Sequence, residues 1–230
     1  MPWAKELPTI SFYTQDTAFA SDKMIFRQFR VGPMENFNYV IGDESTKEAA
    51  LVDPSWEVPK LLRFAEENRL KVKKILLTHT HPDHVQGLKE AVSKTGAAVY
   101  VHHEESRAAK ALGVKVNEVD NGDEFSIGAL KVKVLHTPGH APGAVCFLFR
   151  NKLITGDTLF VEAVGRTDLP GGNTKHLFES LQQLKKLDDS TEVYPGHDYG
   201  PKPHSTIGDE KKNNPYLRCK NLEEFQNIKD

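Results

Sequence analysis

The segment Thr78-His79-Thr80-His81-Pro82-Asp83-His84 packs three histidines and a carboxylate into six residues, directly after the apolar run Ile75-Leu76-Leu77. Residues two apart in an extended segment point the same way, so His79 and His81 leave the strand end on one side. The turn that begins at Pro82 swings Asp83 and His84 elsewhere, which offers two ligand sets. Neutral imidazole suits zinc, iron or another first-row metal and a carboxylate supplies charge, so the segment reads as half of a metal centre.

The same order of strand, turn and potential ligand recurs along the chain. Glu48 to Val52 reads as a strand ending at Asp53-Pro54. A carboxylate there can accept the free N–H of a metal-bound histidine and fix its tautomer, and it is equally suited to a turn or a helix start. Leu130 to Leu135 alternates as a half-exposed strand and delivers His136-Thr137-Pro138-Gly139-His140, whose proline and glycine force a reversal that can aim His140 back across the strand ends. Lys152 to Ile154 runs into Thr155-Gly156-Asp157; beside the histidines, Asp157 reads as a bridging carboxylate rather than a plain turn former. Glu192-Val193-Tyr194 leads into Pro195-Gly196-His197. His102-His103 follow a strand over 97–101, but adjacent strand residues face opposite ways, so this pair is read as surface or substrate-edge residues rather than ligands.

Further elements fall between these points. Met24 to Phe29 is a strand, and 36–41 with 48–52 forms a hairpin. Pro59 opens a helix carrying Leu61, Leu62, Ala65 and Leu70, and Pro82 opens another carrying Val85, Leu88 and Val92 until Gly96 stops it. The glycine-rich stretch 160–174 is predicted as a loop over the site, followed by a helix over 175–187 with Leu177, Leu181 and Leu184 on its buried side. The tail is expected to return as a cap and a short helix. Trp3, Phe12, Tyr13 and Phe19, in the stretch through Lys23, show no clear period and suggest a segment that covers a neighbouring surface.

The 230 residues, 38% hydrophobic and 27% charged, suit one compact soluble domain over 1–230. A net charge of -2 without long charged blocks makes no case for nucleic acid or an anionic membrane as partner. Cys146 and Cys219 form no disulfide framework, which favours a reducing compartment. Residues 1–24 lack a continuous apolar stretch and no run approaches a membrane span, so a cytoplasmic protein is expected.

Taken together, His79-x-His81-x-Asp83-His84, His140, Asp157 and His197 resemble the ligand pattern of the metallo-β-lactamase-fold superfamily. The resemblance implies an α/β fold, a four-layer αββα sandwich with metals at one edge. It also implies that His79, His81 and His140 hold one metal, that Asp83, His84 and His197 hold a second, and that Asp157 bridges them. Two divalent metals, zinc first with iron or manganese as alternatives, would share a hydroxide and polarise a carbonyl. Asp83 is then expected to serve catalysis as well as ligation.

A narrower likeness, carried by Ile25-Phe26-Arg27-Gln28, by Glu48 through Pro54, by Gly165-Arg166-Thr167-Asp168 and by Tyr194 through Tyr199, is to the branch containing glyoxalase II and the persulfide dioxygenases. It implies hydrolysis of a thioester such as an S-acylglutathione, with Arg166 and Tyr199 touching a small thiol-derived substrate. The alternative it implies is a mononuclear Fe(II) dioxygenase that oxidises glutathione persulfide to sulfite and uses His79, His140 and Asp157. The stretch after His197 is too short for the helical C-terminal domain of the larger glyoxalase II enzymes, which keeps other thioesters or esters open. A diiron flavoprotein of this fold would carry an acid where His81 stands, and a nuclease would need an inserted domain or a basic surface. Seven intact ligand positions speak against a purely binding role.

Overall fold

The computed structural model describes residues 24–229, and the aromatic N-terminal stretch lies outside them. The strands are β1 (Met24–Val31), β2 (Asn36–Asp43), β3 (Glu48–Val52), β4 (Lys71–Leu76), β5 (Ala98–His102), β6 (Val116–Val119), β7 (Glu124–Ile127), β8 (Leu130–His136), β9 (Val145–Phe149), β10 (Lys152–Gly156), β11 (Leu159–Phe160), β12 (Ala163–Val164), β13 (Glu192–Pro195) and β14 (Ser205–Thr206). The helices are α1 (Val58–Glu67), α2 (Pro82–Val85), α3 (Leu88–Thr95), α4 (His103–Ala111), α5 (Thr174–Leu184), α6 (Ile207–Asn213), α7 (Pro215–Arg218) and α8 (Leu222–Lys229). One six-stranded sheet has the order β1-β2-β3-β4-β5-β6 and the other β14-β13-β10-β9-β8-β7, with β11-β12 as a separate ribbon. Both large sheets are mixed. β1, β2 and β3 pair antiparallel, while β3 to β6 run parallel because α1, α3 and α4 return the chain between them. In the second sheet β10 and β13 run parallel, joined by a connection that contains α5.

Alternation along β2 and β3 produces the layers. Val40 and Leu51 face a core shared with Leu61, Leu88 and Val99, whereas their neighbours Tyr39, Ile41, Ala50 and Val52 face a second core with Val134, Phe147 and Ile154 of the other sheet. A third core, with Leu153, Leu181, Leu184 and Phe225, lies between the second sheet and its helices. Three apolar interfaces make four layers, the expected αββα sandwich. Phe147 is fully buried between the sheets, where truncation to alanine costs about 3–5 kcal/mol.

The single helix expected from Pro82 to Gly96 is divided at Gly87, whose amide donates to Pro54 O at 3.1 Å and where an added Cβ would stand 2.5 Å from Ser55 O. The chain bends there to pack against the loop after β3. Leu70 lies beyond the end of α1, the stretch 160–174 begins inside the β11-β12 ribbon rather than as plain loop, and the tail forms three helices. α4 escaped sequence reading because its buried face is Glu105, Ser106 and Ala109 rather than a row of large apolar residues. Among the described residues, no helix is long and apolar enough to cross a membrane.

Candidate metal centre

Parallel pairing brings the ligand-bearing turns to one edge. β3 beside β4 puts Asp53 next to Thr78, and β10 beside β13 puts Asp157 next to His197. The two sheets are stitched at that edge by Val145 N donating to Thr78 O at 2.9 Å and Phe37 N donating to Gly196 O at 2.7 Å. Glycine is required at 196, because a Cβ there would lie 2.2 Å from Asp157 Oδ1.

Four of the five histidines, His79, His84, His140 and His197, are oriented by the outward nitrogen. His140 Nδ1–H donates to Arg166 O at 2.8 Å and His197 Nδ1–H to Met34 O at 2.8 Å, which turns both Nε2 atoms toward the centre. His84 Nδ1–H donates to Asp53 Oδ2 at 3.1 Å. The Thr78 hydroxyl donates to the same oxygen at 2.6 Å, so it is free to accept from His79 Nδ1–H at 3.1 Å. Asp53 therefore reaches His84 directly and His79 through Thr78. Its left-handed backbone, φ 47°, is a conformation that aspartate tolerates better than most side chains.

The inward atoms form overlapping groups. His81 Nδ1 lies 2.8 Å from His140 Nε2, and His84 Nε2 lies 3.1 Å from His197 Nε2. Asp83 Oδ2 is 3.2 Å from His197 Nε2 and 3.4 Å from His84 Nε2. Asp157 is shared, with Oδ1 3.3 Å from His84 Nε2 and Oδ2 3.5 Å from His140 Nε2 and 3.4 Å from His197 Nε2. Ligands of one tetrahedral zinc stand about 3.3 Å apart, so these spacings fit a shared cation. Among the described residues the buried His79 Nε2 has no hydrogen-bond partner, a costly arrangement that a cation would satisfy. The donor atoms of His79, His81 and His140 lie within 4.8 Å of one another, as do those of Asp83, His84 and His197 and those of His79, His84 and Asp157.

Charge follows the same plan. Burial, reinforced by neighbouring imidazoles, keeps His79 and His81 well toward the neutral form that a ligand requires. Burial opposes ionisation of Asp83 and Asp157, yet the hydrogen bond from His197 and the charge on His84 hold both carboxylates below their ordinary range. Burial would also lower His84 and His197, but Asp157 together with Asp53 at His84, and together with Asp83 at His197, outweighs it, and His197 rises to about 9. Without a cation the acids thus retain protons on His84 and His197.

Two residues that sequence reading passed over support these groups. Asn36 Nδ2 donates to Asp83 Oδ2 at 2.9 Å, and Glu105 accepts from Thr80 N and Gly143 N, both at 3.1 Å. Neither belongs to the histidine motif or stands at the end of a ligand-bearing strand, so no local signal marks them. Arg166 lines the mouth of the centre, but its guanidinium forms two 2.6 Å hydrogen bonds with Asp168 and its carbonyl is the atom that holds His140. Tyr199 is exposed and stacks on the His197 ring at 4.5 Å. His102 is not a surface residue: it is buried, stacked on His136 at 4.0 Å, and its Nδ1 accepts from Glu104 N at 3.3 Å. That contact places the proton of the neutral ring on Nε2, the nitrogen nearer Asp120, while His103 is exposed beside the same acid. The centre opens into a cavity of about 670 Å³ whose outer walls include Met34, Phe160, Leu169 and Pro170.

Residues 31–197 match the sequence profile of the metallo-beta-lactamase superfamily, and the chain belongs to that family as a hydrolase-like member with a His/Asp metal site. It is 33% identical over 191 residues to the probable polyketide biosynthesis zinc-dependent hydrolase PksB of Bacillus subtilis (strain 168), which covers 83% of this chain and 85% of that one. The crystal structure of ETHE1 from Myxococcus xanthus superposes with a TM-score of 0.82 at 37% identity, covering 89% of each chain. TTHA1623 in a di-iron-bound form superposes with a TM-score of 0.71 at 35% identity, covering 83% of this chain and 100% of that one.

Proposed function

We propose that the chain hydrolyses a thioester of a small thiol carrier, such as an S-acylglutathione, at a two-metal centre. His79, His81 and His140 hold one metal in this reading, Asp83, His84 and His197 hold the other, and Asp157 is shared. The observation that carries it is the second donor group, as closely gathered as the first and joined to it through one carboxylate. Metals bound there supply Lewis acidity toward a carbonyl oxygen and lower the pKa of coordinated water.

The chain's own residues orient and enclose. Asp83 lines the cavity as an ionised carboxylate held by Asn36, and of the two acids in that lining it is more exposed than Asp157. The apolar walls exclude water and suit an acyl chain. An acidic thiol carrier would compete with Asp168 for Arg166, and Tyr199 would meet it at the rim. The zinc-dependent relative and the di-iron-bound one support zinc or iron as the metal.

A second reading, persulfide oxidation at one iron held by His79, His140 and Asp157, is favoured by Arg166 and Tyr199 both reaching the cavity. Metal analysis combined with thioester-cleavage and persulfide-dependent oxygen-uptake assays separates the two. We expect about two metals per chain and thioester cleavage without oxygen uptake. One iron per chain with oxygen uptake, retained in His84→Ala, would replace the hydrolase with the dioxygenase.

A further inference from the structure

Glu105 belongs to neither donor group, yet it joins the two loops that build one of them. Its Oε2 accepts from Thr80 N at 3.1 Å and from the Thr80 hydroxyl, while its Oε1 accepts from Gly143 N at 3.1 Å. Thr80 stands between His79 and His81, and Gly143 follows His140 by one short turn. One buried side chain therefore spans the gap between the loop that carries two histidines and the loop that carries the third.

The chemistry of the contact calls for a carboxylate. All three partners are donors, so both oxygens must accept; a glutamine would turn its NH2 toward an N–H and leave that amide without an acceptor. The approach is close: a Cβ on Gly143 would sit 2.7 Å from Glu105 Cγ and 3.0 Å from His102 Nδ1. His102 starts α4 by accepting from Glu104 N, which fixes the helix turn that presents Glu105. The other donor group is held by different atoms, with Asn36 on Asp83, Asp53 on His84 and Met34 O on His197.

We propose that Glu105 is a positioning residue that sets the spacing of His81 and His140, and with it the metal affinity of the His79/His81/His140 group alone. The inference rests on that group binding a metal and holds whichever reaction follows. The test is titration of chelator-stripped protein with cobalt(II) against a competing indicator. Glu105→Gln is compared with Glu105 in two backgrounds: His84→Ala, which leaves the histidine group, and His81→Ala, which leaves the Asp83/His84/His197 group.

We expect Glu105→Gln to weaken cobalt binding about 10–100-fold in the His84→Ala background. In the His81→Ala background the change should stay within about threefold, since that group's supporting contacts are untouched. Equal losses in both backgrounds, or no loss in the first, would overturn the proposal, and so would a His84→Ala chain that binds no cobalt. Absence of binding in the His81→Ala background alone would instead remove the two-metal reading and leave Glu105 tested by the other arm. Should Glu105→Gln fail to fold, Thr80→Val removes only the hydroxyl donor and is expected to produce a smaller loss confined to the same background; no loss there overturns the proposal.

Discussion

His79, His81 and His140 meet as three imidazoles: a hydroxyl holds His79, a carbonyl holds His140, and the Glu105 carboxylate joins the loops that carry them. Asp83, His84 and His197 meet as an acid and two rings, oriented by an amide, a carboxylate and a carbonyl. Burial disfavours protonation of His79 and His81 in the first group, whereas the surrounding acids favour it at His84 and His197 in the second. A cation at the first gains mainly lone pairs, whereas at the second it also displaces protons. The contrast teaches that two sites made of similar residues at one sheet edge are tuned separately by what stands behind them, with Asp157 touching both and Asp53 touching the second and reaching the first through Thr78.

Removing Asp157 should abolish the distinction. Asp157→Ala takes a carboxylate from beside His84, His140 and His197 at once, so kcat/KM for thioester cleavage should fall by about 10³ or more, as loss of several kcal/mol of metal-derived stabilisation implies. Metal analysis should show loss from both groups; loss from one alone would make Asp157 a ligand of that group only.

Asp53→Asn should weaken both groups by about 10–100-fold in metal affinity, more at His84, which it contacts directly, than at His79, which it reaches through Thr78. It should also destabilise the metal-free chain by about 1–3 kcal/mol, since Thr78 N loses a charged acceptor. Cobalt titration and urea unfolding read the two effects separately. Equal loss at the two groups would mean that the Thr78 relay is as strong as the direct contact.

Asp43 offers the smallest effect on the centre and a measure of stability apart from it. Burial raises its pKa, but Ala129 N, Ser45 N and the Ser45 and Thr46 hydroxyls all donate to it and together hold it well below the carboxylate range. A group with a depressed folded pKa stabilises above its unfolded pKa, about 3.9, and that stability is lost as pH falls through the folded value. Asp43→Ala should therefore cost about 1–3 kcal/mol at pH 7 and progressively less below about pH 4, measured by urea unfolding of the metal-free chain. Metal affinity should be unchanged at both groups.

Much of the centre was legible because its ligands follow strand ends in the sequence. His79 and His81 share a side by strand period, Pro82 starts the turn that redirects Asp83 and His84, and Gly139 and Gly156 mark the reversals beside His140 and Asp157. Asp53 was legible as an acid at a strand end, although its relay through Thr78 was not. Glu105 and Asn36 were invisible because their partners lie on other elements, and burial of His102 depends on a ring stacked from β8. The sequence points to the side chain of Arg166, but folding turns its carbonyl toward His140.

By itself, the sequence determined the strand-turn-ligand order, the alternation that makes two faces of each sheet, and the donor chemistry, all of which rest on local period and residue type. Only the tertiary structure decided which ring nitrogen faces inward at each histidine, that one carboxylate is shared between two groups, and that their supports differ. Those outcomes depend on hydrogen-bond acceptors and charges brought from distant parts of the chain, and only packing of the two sheets brings them within reach.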